Sequence, residues 1–175
     1  MTVLFGPGPN LEPNPRCLAR DLAPAFAAEN LNSDMADWVF SAETYGEFDF
    51  RLQGVGIEVD GMTIHAGGHM GVGGDIGDMG NMYSSPGDPL FYLHHANLDR
   101  LWDEWQRVNF EVRGKEVTGP DTMYAYPWNF FGDVPYENVT LDTELEFKGL
   151  LGGGKPTKIR EAMDTFGENV CVGYE

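Results

Sequence analysis

Positive charge is scarce in this chain of 175 residues: 11 Lys and Arg stand against 28 Asp and Glu, for a formal charge of −17 and an isoelectric point near 4.4. Such a surface repels phosphate backbones and anionic headgroups, which argues against nucleic acid and membranes as partners. Long apolar runs are missing too. Apolar residues make up 42% of the chain and mean hydropathy is −0.32, yet no stretch approaches the roughly 18 unbroken apolar residues of a membrane span. Cysteine is nearly absent. Cys17 and Cys171 lie too far apart for a CxxC motif and are read either as two buried thiols or as one disulfide joining the chain ends. The first residues, Met1 to Pro7, lack the basic start, apolar core and cleavage site of a secretory signal. The compartment is left open.

What is present, at 19.4 kDa, suits a single domain over residues 1–175, or one part of a larger one. Three parts are expected: an extended arm over 1–32, helices bearing the histidines over 33–107, and an irregular wrapping segment over 108–175. The arm follows from Gly6-Pro7-Gly8-Pro9-Asn10 and Pro13-Asn14-Pro15, which disfavour helix and strand. Met35, Trp38, Val39 and Ala42 recur at helical spacing and predict a helix over about 34–44, and Phe48 and Leu52 predict a shorter one over about 45–52. Residues 71–87, rich in Gly and Asp, read as a loop. The strongest helix is expected over 88–106, with Asp88 as N-cap and Pro89 at the first position, where no amide donor is needed. Short strands and a helical turn over 158–165 complete the outline.

All four histidines fall within about thirty residues: His65, His69, His94 and His95. His65 and His69 are spaced i, i+4, which on a helix puts both imidazoles on one face within reach of one metal. The intervening Ala66-Gly67-Gly68 is a poor helix former, so its glycines point to close backbone approach. His94 and His95 are adjacent and point about 100° apart on a helix, so one is a ligand candidate and the other a supporting residue. Neutral imidazoles without cysteine suit copper or zinc, and a histidine-only set suits oxygen-reactive copper better than structural zinc. Asp99 and Arg100 either orient a ligand or form an ion pair that fixes the helix.

The run Asp88-Pro89-Leu90-Phe91-Tyr92-Leu93-His94-His95-Ala96-Asn97-Leu98-Asp99-Arg100-Leu101-Trp102 resembles the second-copper signature of the tyrosinase and polyphenol oxidase family, shared with molluscan-type haemocyanins. His65-x-x-x-His69 followed by Gly73-Gly74 fits the same half-site, and the arm and closing Cys171-Val172-Gly173-Tyr174 resemble short fungal polyphenol oxidases. The resemblance implies a mainly α fold, an antiparallel helix-bundle copper core of four helices, of which this chain supplies about half, with long loops. It implies His65, His69 and His95 as ligands of one copper, with Phe91 packed beside the site and His94 in a supporting contact. It implies oxidation of o-diphenols to o-quinones with dioxygen at a two-copper centre.

Four histidines cannot supply six ligands, so a first-copper half is expected from a missing N-terminal segment or another chain. A histidine-based mononuclear metal module and a haemocyanin-like dioxygen carrier are the alternatives. Ala66 stands where many family members carry an Asn thought to orient a water that deprotonates monophenols. Alanine offers no such hydrogen bond, so diphenol oxidation is expected to exceed monophenol hydroxylation.

Overall fold

The computed structural model describes residues 2–3, 15–54, 61–122, 124–125, 134–145 and 156–174. They form two compact units: Met1–Ala42 with Phe48–Asp99, and Glu43–Glu47 with Arg100–Glu175. Much of the 1–16 and 108–157 expectations lies outside the described residues.

In the first unit, the strands β1 (Thr2–Val3) and β2 (Arg16–Cys17) pair antiparallel. The chain then runs irregularly to α1 (Pro24–Asn30), a helix in the segment expected to be extended. Pro24 at its start and the alanines behind it are ordinary helix-starting chemistry. Helix α2 (Ser33–Phe40) is capped by Asn32, whose side chain accepts from the Met35 amide at 2.9 Å. It stops short of residue 44 because the Trp38 carbonyl is taken by the Ser41 hydroxyl at 2.8 Å and by Arg51 at 3.0 Å. Helix α3 spans Tyr45–Gln53, matching the shorter helix expected there.

Helix α4 (Ile64–Gly73) carries four glycines and would be a weak helix alone. It is helical because the glycines let α1 come close. A Cβ at Gly67 would lie 2.8 Å from Asn30 Cβ, and one at Gly71 would lie 2.9 Å from Ala27 Cβ. Neither side chain would fit. The segment expected to be a loop from residue 71 begins inside α4 and continues through two 3-10 turns, Asp78–Gly80 and Ser85–Gly87.

The irregular segment before α1 is pinned to this region. Asp21 N–H donates to the Val72 carbonyl at 3.2 Å, Ala23 N–H to the Gly71 carbonyl at 2.9 Å, and Arg16 forks onto buried Asp78. Arg20 forks onto fully buried Asp88 at 2.7 and 2.8 Å, while Asp88 accepts the Leu90 amide at 2.9 Å and so caps α5 (Pro89–Arg107). Both arginines hold their carboxyls below the usual range. Among the described residues of this unit, Val39, Ala42, Phe48, Leu52, Ile64, Met79 and Leu98 are the buried apolar ones.

The second unit takes the C-terminal part of α5, then α6 (Phe110–Arg113) and the antiparallel pair β3 (Glu144–Leu145) with β4 (Thr157–Lys158), followed by α7 (Ile159–Ala162). Fully buried Trp105 lies under the Arg113 guanidinium, 4.3 Å from the ring centroid. Leu101, Ala125 and Met163 are buried with it. Arg107 binds Asp164 at 2.7 Å and Thr165 Oγ1 at 2.9 Å, between the rings of Phe110 and Phe166. Cys17 and Cys171 are exposed free thiols, neither buried nor bridged. Among the described residues no helix is long and apolar enough to cross a membrane.

Candidate metal centre

Helix α4 carries His65 and His69 one turn apart, and the first half of α5 carries His94 and His95. The structure gathers all four in the first unit. The Nε2 atom of His69 lies 3.2 Å from His65 Nε2 and 3.2 Å from His95 Nε2. The other face of each α4 ring is held by an acceptor. His69 Nδ1 donates to the Met79 carbonyl at 2.9 Å, and His65 Nδ1 donates to Gln53 Oε1. A carbonyl can only accept, so both rings carry their proton on Nδ1 and turn an Nε2 lone pair toward the other.

Two lone pairs facing at 3.2 Å repel unless a cation sits between them. That cation is not a proton. Burial, reinforced by the neighbouring imidazoles, pushes His65 down to about 3 and His95 to about 4, and burial also lowers His69 and His94. All four rings are neutral at pH 7, the form that binds metal. An ion bonded tetrahedrally to imidazole nitrogens at about 2.0–2.1 Å would separate neighbouring ligand atoms by about 3.3 Å. The residues therefore fit a first-row metal ion held through Nε2 of His65, His69 and His95.

His94 and His95 make different contacts. One of the His94 ring nitrogens lies within 4.8 Å of one from His65 and one from His69, so proximity alone would admit it as a ligand. Its Nε2, however, donates to the His65 carbonyl at 2.8 Å, and its ring fills the space above Gly68, where a Cβ would collide with it. His94 thus clamps α5 to α4, while the next residue presents its Nε2 to His69. Phe91 lies against His95 with ring centroids 4.1 Å apart and an interplanar angle of 32°. Asp88 lies at the base of α5 as its cap, Arg100 pairs with Glu104 one turn along the helix, and Asp99 is exposed.

Sequence reasoning passed over Gln53 and the Met79 carbonyl, because each meets its histidine across 10 or 12 residues of chain with no local pattern to mark it. Arg20, 68 residues from Asp88, was equally invisible.

The chain is similar to known proteins over most of its length. Residues 4–108 match the family model described as the common central domain of tyrosinase. The chain is 36% identical over 169 residues to an N-acetyl-6-hydroxytryptophan oxidase of Emericella nidulans, covering 93% of this chain and 43% of that protein. It is 31% identical over 161 residues to tyrosinase P of Aspergillus terreus, covering 92% and 42%. A polyphenol oxidase variant from Thermothelomyces thermophila superposes with a TM-score of 0.71 at 27% identity, over 98% of this chain and 48% of the other. The chain thus spans less than half the length of the relatives it matches. With a mainly helical fold, a three-histidine cluster and a match over most of its first 108 residues, the chain belongs to the tyrosinase family of copper oxidoreductases.

Proposed function

We propose that this chain supplies the second-copper site of an oxidase that converts o-diphenols to o-quinones with dioxygen. A first-copper half comes from further chain or from a partner. His65, His69 and His95 hold one copper, and the complete centre holds two. The observation that carries the ligand set is the approach of the three Nε2 atoms, 3.2 Å from His69 to each neighbour, on rings that burial keeps neutral. The relatives of matching sequence bear oxidase and tyrosinase names, which supports the reaction class; one is named for a hydroxylated tryptophan derivative.

When bound, copper supplies the transfer of electrons from the diphenol to dioxygen. The protein's own residues do the rest. Gln53 and the Met79 carbonyl hold protons on Nδ1 of His65 and His69, which keeps both Nε2 atoms available. His94 holds the two helices in register through the His65 carbonyl, and Phe91 covers one face of His95 and excludes water there. Ala66, beside His65, brings a methyl group where a hydrogen-bonding side chain would hold a water, which favours diphenols over monophenols as substrates.

Anaerobic loading with Cu(I), followed by elemental analysis and light scattering, tests the half-site. One copper per chain, lost in His95→Ala, is expected; two coppers, or none, overturn it. Supplying the first-copper half and comparing catechol with phenol tests the reaction. A dioxygen carrier would bind two coppers and leave catechol untouched. A mononuclear module, favoured by the count of four histidines, would stay at one copper when the first-copper half is added.

A further inference from the structure

We infer that Gln53, its amide oriented by Asp49, is a positioning residue that fixes His65 in the tautomer able to ligate a metal. Asp49 and Gln53 are four residues apart on α3, so their side chains share a face. Gln53 Nε2 donates to Asp49 Oδ1 at 3.4 Å. With the nitrogen turned to a carboxylate, the amide oxygen is the atom left for His65, and it accepts the proton on His65 Nδ1.

A neutral imidazole side chain left to itself favours the proton on Nε2, which blocks the nitrogen that faces His69. The acceptor at Nδ1 reverses that preference. Burial raises the Asp49 carboxyl to about 6, so it is mainly ionised at neutral pH and remains an acceptor for the amide. The two α4 ligands thus differ in how their tautomers are set. His69 relies on a backbone carbonyl that no substitution removes, whereas His65 relies on one side chain. Affinity at this site is adjustable through residue 53 without touching a ligand.

The affinity arm of this inference rests on His65 being a copper ligand, whereas the tautomer arm does not. The test uses the full chain labelled with 15N. Long-range proton–nitrogen correlation spectra of the metal-free protein report which His65 nitrogen is protonated, and Cu(I) titration against a chromophoric chelator reports affinity. Wild type is expected to show a single Nδ1–H tautomer. Gln53→Leu is expected to move the proton largely to Nε2 and to weaken Cu(I) binding roughly 10- to 100-fold. Gln53→Glu keeps an acceptor and is expected to retain the wild-type tautomer. Asp49→Leu frees the amide to turn and is expected to give a mixture.

An unchanged His65 tautomer in Gln53→Leu, with near-UV circular dichroism like wild type, overturns the inference. If that variant does not fold, loss of the Nδ1–H tautomer in folded Gln53→Glu overturns it instead. A wild-type chain with the expected tautomer and no Cu(I) binding would remove the proposed function and leave the positioning role standing.

Discussion

The histidine cluster of the first unit is built from neutral side chains, whereas the second unit is held by charged and paired ones. Around α4 and the start of α5, four imidazoles are desolvated to the point that none carries a positive charge at pH 7. Around Arg107 the guanidinium stays part-exposed, gripped by Asp103 and Asp164 and flanked by two rings. Near β4, Asp142 meets Lys158 at 3.0 Å and Arg160 at 2.6 Å on an exposed surface. Charged pairs can live with water, and their geometry tolerates adjustment. Converging neutral lone pairs cannot be left as they are, because they repel without a shared cation. The difference separates a region built to hold something from one that only holds itself together.

The largest way to break this contrast is His69→Ala, which removes the nitrogen common to both 3.2 Å approaches. Copper per chain after anaerobic loading is expected to fall to zero. Asp88→Ala takes away the cap of α5 and the partner of Arg20. Its cost is roughly 2–3 kcal/mol, read as a drop in denaturant midpoint. Gly68→Ala puts a methyl group where the His94 ring lies. Overpacking of about 1–3 kcal/mol exceeds the gain in helix propensity, so thermal unfolding is expected earlier and copper affinity lower.

Within the first unit, the neutral cluster and the charged pairs should also separate by pH. The histidines of the copper-free first unit have folded values below the ordinary 6.5, so the unfolded chain binds more protons. Stability is therefore expected to fall as pH drops from about 6.5 toward 4. Asp49, raised to about 6, opposes this with one group against four. Asp78 and Asp88 have depressed values, so their contribution is intact above the ordinary 3.8 and is lost as pH falls below it. Urea melts across this range check both steps. The smallest effect is expected from Asp142→Asn, whose exposed pairs should leave the unfolding midpoint nearly unchanged at ordinary salt.

How far the sequence foretold all this follows from the range of each interaction. The long helix was legible because Asp88, Pro89 and the apolar stripe are local, and the structure starts it where that cap demands. The i, i+4 pair His65 and His69 was legible for the same reason, and the glycines between them did mark close approach. Periodicity left His94 and His95 open. What distinguishes them is a carbonyl 29 residues away, a tertiary fact with no sequence signature. Helix α1 carried a local signal in Pro24 and the alanines, overshadowed by the Pro/Gly-rich residues before it. The 3-10 turns in the Gly/Asp stretch carried none, because glycine-rich sequence takes its shape from what packs on it.

Helix α4 has a consequence for the order of assembly. A ten-residue helix with four glycines does not persist on its own in water. It exists because Ala27 and Asn30 of α1 lie against Gly71 and Gly67. His65 and His69 come into line only after α1 has docked, so the nascent chain has no preformed pair with which to capture a metal. A metal that needs both imidazoles therefore meets them in line only once α1 has docked.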